Sequence, residues 1–177
     1  MMFRYFISLL SLSFASLVAH TILNSAPAMA QSALPIESFQ SPNSYIGIGG
    51  AIGLNGNTTS LGSGGLTVVS KLRFTDNLSL HDATILFGQQ AATSMIILSA
   101  DFPIRNSEGR VIASPFIGGG TQLRYADGLF VSPAISGGID IPMSNNFTGT
   151  VRVNAGFPSN RNADVGVIVG AGYTFGK

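Results

Sequence analysis

The chain has 177 residues, of which 45% are hydrophobic, only 10% are charged and 22 are Gly, with nine basic residues against eight acidic and no Cys. Soluble domains carry about 25% charged residues and cover themselves in Lys and Glu, of which this chain has two each. That excludes a basic patch for nucleic acid, a disulfide framework or lipoprotein anchor and a thiolate metal site, and it describes an outside not built for water.

Residues 1–5 carry one charge, Arg4; residues 6–19 are an apolar run broken only by Ser; and Ala28-Met29-Ala30 has the small-x-small form read by signal peptidase. This pattern predicts a secretory signal peptide over 1–30, and its apolar run is shorter than the roughly 18 residues of a spanning helix. Without Arg4 the mature part has eight charges of each sign and is formally neutral. Residues 31–43, with Ser, Gln and two Pro but no periodicity, read as a short periplasmic tether. The remainder, 44–177, is expected to be one domain.

Within it the chain falls into eight extended segments, at 44–54, 64–74, 78–88, 93–102, 111–125, 129–141, 147–157 and 163–175. They are separated by turn-forming clusters such as Asn55-Gly56-Asn57, Asp76-Asn77, Asp127-Gly128 and Ser144-Asn145-Asn146. Even spacing and short links predict an all-β fold, an eight-stranded antiparallel up-and-down barrel, with both ends of the domain on one side. Pro115 and Pro133 fall inside adjacent segments, where a missing N–H predicts a bulge or a shortened strand.

Side chains alternate between the two faces of a strand, and the faces here differ in kind. In the second segment Leu66, Val68, Leu72 and Phe74 oppose Thr67, Lys71 and Arg73; in the fourth Ile96, Leu98, Ala100 and Phe102 oppose Ser99 and Asp101. In the sixth Leu129, Val131, Ile135, Ile139 and Ile141 oppose Ser132, Ser136 and Asp140; in the seventh Phe147, Val151, Val153 and Phe157 oppose Thr148, Thr150, Arg152 and Asn154. The last segment sets Val165, Val167, Val169, Tyr173 and Phe175 against Asp164, Ile168 and Thr174. Thirteen residues of such alternation exceed the roughly 9 to 11 that a tilted strand needs to cross a membrane.

Apart from charges, the polar faces are small residues, which suit a narrow lumen; eight strands leave room only for side chains or one small ligand. The strand charges assigned to that face are Lys71, Arg73, Arg124 and Arg152 against Asp82, Asp101, Asp140 and Asp164. They predict a balanced lumen network, since a Lys or Arg facing lipid costs about 2–4 kcal/mol near mid-bilayer, whereas paired and hydrogen-bonded charges are tolerable inside. Aromatics cluster at segment ends, with Tyr45, Phe74, Phe102, Phe147, Tyr173 and Phe175 at one end and Phe87, Tyr125, Phe130 and Phe157 at the other. Two such belts suit the two membrane interfaces.

Residues 44–175 thereby resemble the small eight-stranded outer-membrane barrels of the OmpA-transmembrane-domain and opacity-protein type. The resemblance implies an outer-membrane location in a Gram-negative-type envelope, contact with outer-membrane lipid, a monomer, and Tyr173 and Phe175 as a terminal signal for the barrel-assembly machinery. Phe175 stands third from the end, and the links near Asn55, Gln89, Asp127 and Ser159 are shorter than that type's usual outer loops.

Some barrels of this kind modify lipid A with a His, a Ser and an acid. His81 is the sole mature histidine, with Ser79 and Asp82 near it, but neighbours alternate faces, so His81 and Asp82 cannot both point inward. The glycines of 45–53 pack a strand and do not precede a helix, unlike a phosphate loop. No cofactor, metal or catalytic group is therefore expected. Two functions follow from the pattern: a non-enzymatic outer-membrane barrel with a structural role in the envelope and at most a very narrow channel, or a secreted or periplasmic lipocalin-like barrel of inverted parity binding a small apolar ligand.

Overall fold

The computed structural model describes residues 44–86, 91–126, 128–159 and 161–175. The expected signal peptide, the tether and Phe87 lie outside the described residues. The elements are β1 (Ser44–Asn55), α1 (Ser60–Ser63), β2 (Gly65–Thr75), β3 (Leu78–Leu86), β4 (Ala92–Asp101), β5 (Ile104–Arg105), β6 (Val111–Tyr125), β7 (Leu129–Pro142), β8 (Phe147–Gly156) and β9 (Asp164–Phe175). Eight long antiparallel strands close into a barrel: β1 pairs with both β2 and β9, and β4 pairs with β6. The two-residue β5 forms a side hairpin on the beginning of β6.

Residues paired across neighbouring strands project to the same side, so the register gives the facing of every position. Tyr45 faces Lys71, Lys71 faces His81, His81 faces Ile97, Ile97 faces Gly120, Gly120 faces Ala134, Ala134 faces Gly156 and Gly156 faces Asp164. Thr174, on the parity of Asp164, faces Tyr45 and completes the circuit. This row is the inner one: Lys71, Asp101, Asp140 and Arg152 are 2, 1, 1 and 1% exposed, against 69, 65 and 49% for Ile48, Ile117 and Val169 on the opposite face. The apolar side of the sheet looks outward, as the alternation predicted, and the inverted parity of a ligand-lined soluble barrel is not adopted.

Asp82 departs from the prediction. It pairs with Ser70 and Ile96, both on the outer row, while His81 takes the inner position. The third segment has Leu80, Ala83 and Ile85 on both parities, so its polar face cannot be chosen from its own composition. Only the pairing of Lys71 with His81 decides it.

The prolines do not break the strands either; β6 and β7 stay in continuous register from Ser114–Asp140 to Tyr125–Leu129. In an antiparallel strand the N–H and C=O of one residue point the same way. The Pro115 carbonyl accepts from Phe102 N (2.8 Å), one place beyond the last β4–β6 pair, and that of Pro133 accepts from Phe157 N (2.9 Å), one place beyond the last β7–β8 pair. Each missing N–H therefore falls one place past the last regular pair of the β4–β6 or β7–β8 ladder and interrupts neither.

The aromatic belts are present in part. Phe74, Phe102, Phe147 and Tyr173 are exposed at the end with tight turns, and Phe147 and Tyr173 meet edge to face at 5.9 Å. Tyr45 instead points into the lumen and is fully buried, and Phe130 lies on the inner row, paired with Arg124.

At the opposite end the link between β1 and β2 folds into the barrel mouth. Thr59 caps α1 by accepting from Leu61 N (3.2 Å), Ser60 N and Oγ donate to Ala91 O (3.0 and 2.9 Å), and Gly64 ends the turn at φ 81°. Leu61 is thereby fully buried among Val69, Ile85, Met95, Ile97 and Ile168.

Candidate functional site

The lumen has two layers. Beneath α1 it is apolar, formed by the cluster around Leu61; alternation alone hides this layer, because Val69, Ala83, Ile85, Met95 and Ile97 share parity with polar residues. Toward the tight-turn end it is ionic. Lys71 Nζ lies 2.9 Å from Asp101 Oδ1 and 3.0 Å from Asp140 Oδ2. Tyr45 Oη donates to Asp140 Oδ1 (2.9 Å) and accepts from Arg152 Nη2. Arg152 also donates through Nε to Thr150 Oγ1 (3.1 Å), through Nη1 to the Asp82 carbonyl (3.1 Å) and through Nη2 to the Ser70 carbonyl (3.3 Å).

Two cations and two carboxylates thus form one fully buried, formally neutral chain running Arg152, Tyr45, Asp140, Lys71, Asp101. Burying ions is costly unless each is paired and its remaining hydrogen-bonding capacity is met, and here the phenol of Tyr45 relays between Arg152 and Asp140. Glycine makes room for the long side chains: a Cβ at Gly138 would lie 2.9 Å from both Phe116 Cζ and Arg152 Cα.

The other predicted lumen charges lie elsewhere. Arg73 is on the inner row at the turn-end rim, 3.4 Å from Asp76. Asp164 is buried at the mouth, where its Oδ1 accepts from Thr58 N (3.2 Å) and holds the loop that leads into α1. Arg124 is at the mouth with its guanidinium 4.1 Å above the Phe130 ring. Asp82, on the outer row, contributes only its backbone carbonyl to the lumen.

A Ser, a His and an Asp do converge, with Asp101 in place of Asp82. Ser79 Oγ is 3.3 Å from His81 Nε2 and donates to Asp101 Oδ2, and His81 Nε2 is 3.6 Å from Asp101 Oδ1. All three are buried, Phe116 stacks on the imidazole at 4.0 Å, and Lys71 holds the carboxylate. A substrate would have to displace the lumen filling to reach Ser79. His81, Asp101 and Asp140 also offer donor atoms within 4.8 Å of one another, a spacing that could hold a metal ion, but the Lys71 ammonium already bridges both carboxylates and takes the cation's place.

No protein-family model and no curated protein sequence matches the chain. Solved structures do. Ail, the attachment invasion locus protein of Yersinia pestis, is 16% identical, with a TM-score of 0.51 over 77% of this chain and 100% of that one. The N-terminal β-barrel domain of Pseudomonas aeruginosa OprF is 12% identical, with a TM-score of 0.53 over 76% of this chain and 98% of that one. At these identities the likeness is one of fold: this chain has the eight-stranded barrel architecture of outer-membrane proteins.

Proposed function

We propose that the chain is a non-enzymatic outer-membrane barrel of a Gram-negative-type envelope, with a structural role and a lumen closed to all but the smallest solutes. One observation carries the reading: apolar rows face outward on seven of the eight long strands, β3 with Asp82 being the exception, while Lys71, Asp101, Asp140, Tyr45 and Arg152 fill the interior. Open rows of Ile, Val and Leu such as Ile48, Ile117, Val131 and Val153 are unfavourable in water, by roughly 25 cal/mol per Å² of apolar surface, and suited to lipid.

In this reading residues 1–30 direct export and are removed, residues 31–43 are a periplasmic tether, and residues 44–177 sit in the outer membrane as a monomer. Tyr173 and Phe175 are the terminal feature offered to the assembly machinery. The eight charges picked out by their parity divide into a central plug, Lys71, Asp101, Asp140 and Arg152, and groups serving the rims or the outer wall.

Planar-bilayer recording on refolded protein tests it. A sealed lumen predicts little or no current, whereas a steady open conductance would refute the plug. A folded protein that stays soluble and monomeric without detergent would refute the membrane reading itself.

A further inference from the structure

Beyond the lumen plug, the barrel mouth holds a partly open cavity of about 370 Å³ lined by the loop leading into α1, the end of β6, the start of β7 and the link between β8 and β9. Its polar lining comes from Arg124, Arg161, Thr58, Thr59, Ser132 and Ser159. Among the described residues no carboxylate lines it. Asp164, which accepts the Thr58 amide, is fully buried and is not part of the wall.

Arg124 is held in place by stacking rather than by an ion pair: its guanidinium lies 4.1 Å above the Phe130 ring. Stacking occupies the face of the guanidinium and leaves its in-plane N–H fork for a ligand. Neither Arg124 nor Arg161 has a carboxylate within salt-bridge distance among the described residues. Two like charges on one small cavity repel, and a shared anion converts that repulsion into two charge-assisted contacts.

We propose that this cavity is a binding site for a phosphomonoester, with Arg124 and Arg161 clamping the phosphate oxygens and Thr58, Ser132 and Ser159 supplying hydroxyls around it. The shape leaves room for more than the phosphate alone. The same chemistry is offered by free phosphate and by a phosphorylated sugar headgroup.

The test is calorimetric titration of the folded protein, in a neutral detergent at low salt, with inorganic phosphate, glucose 1-phosphate and glucose. Phosphate and glucose 1-phosphate should each saturate a single site and glucose should not. Binding should weaken about tenfold or more in Arg124→Gln and in Arg161→Gln, as expected for loss of a charge-assisted contact. Arg124→Lys keeps the charge and loses the fork, so it should bind between wild type and Arg124→Gln. Tighter binding of glucose 1-phosphate than of phosphate assigns the site to a phosphorylated sugar; equal binding assigns it to free phosphate. No saturable binding by wild type would overturn the proposal. So would unchanged affinity in both Gln variants, each first shown to be folded by its strand circular dichroism.

Discussion

Lys71 Nζ on β2 reaches Asp140 Oδ2 on β7 at 3.0 Å, and those strands lie four places apart whichever way the barrel wall is followed. The ion pair therefore spans the lumen from one wall to the opposite one. A contact of this kind couples strands that share no backbone ladder, and it lies across the middle of the barrel.

Replacing Lys71 by Met removes the one Lys or Arg that directly contacts Asp101 and Asp140 among the described residues. Leaving buried carboxylates unpaired costs about 3–5 kcal/mol, so Lys71→Met should lower the urea midpoint of unfolding in detergent and admit water to the lumen. The double variant Lys71→Met with Asp140→Leu should recover part of that stability. Equal midpoints for wild type and Lys71→Met would show that the bridge carries no stability.

The outer position of Asp82 gives a second expectation. A charge on the lipid-facing wall is destabilising by up to about 2–4 kcal/mol for Arg or Lys and less for Asp, so Asp82→Leu should stabilise the folded barrel in bilayers by about 1 kcal/mol. With no native cysteine, facing can be read directly. A bimane on Cys introduced at 82 should be quenched by brominated lipid, and one introduced at 81 should not. The reverse pattern would mean that the β2–β3 register is wrong by one residue.

The loop plug should be separable from the ionic plug. Gln122 Nε2 donates to Thr59 Oγ1 at 2.9 Å, and Leu61 is fully buried beside Ile85 and Met95. Leu61→Ala should cost about 2–5 kcal/mol, as large-to-small core changes do, and should expose the 56–64 link to protease while conductance stays low. A rise in conductance to a stable open level would place the seal at α1 instead of at Lys71.

Pro115 and Pro133 sit one place past the last regular pairs, so Pro115→Ala and Pro133→Ala remove no ladder hydrogen bond and add an N–H on the side of the Phe102 and Phe157 carbonyls. Each should change stability by about 1 kcal/mol or less, since the added hydrogen bond and the added entropy of the unfolded chain oppose each other. A gain well above that would mean that the ladder extends past Asp101 or Gly156.

Much of this was legible in the residues. The alternation of Val165, Val167 and Val169 with Asp164, Ile168 and Thr174 gave the last strand and its facing, and the same period placed Lys71, Asp101, Asp140 and Arg152 inside. Each of those strands has one face that is apolar apart from a single Ser on two of them, Ser70 on β2 and Ser94 on β4, and a period of two makes that face unambiguous. The third strand lacks such a face, and there the reading put Asp82 in the lumen in place of His81.

What one strand cannot contain is its partner. The alternation in the sequence determined that nearly every strand has one apolar and one small or polar face, because that property belongs to each strand separately; closure of the wall decided that the apolar face looks outward. Tertiary structure alone decided that Tyr45 links Arg152 to Asp140, that Asp101 meets Ser79 and His81, that Leu61 fills the mouth and that Arg124 stacks on Phe130. Those contacts join residues from 6 to 107 places apart in the chain, or reach across the lumen, and their geometry exists only once every strand has taken its register and the wall has closed.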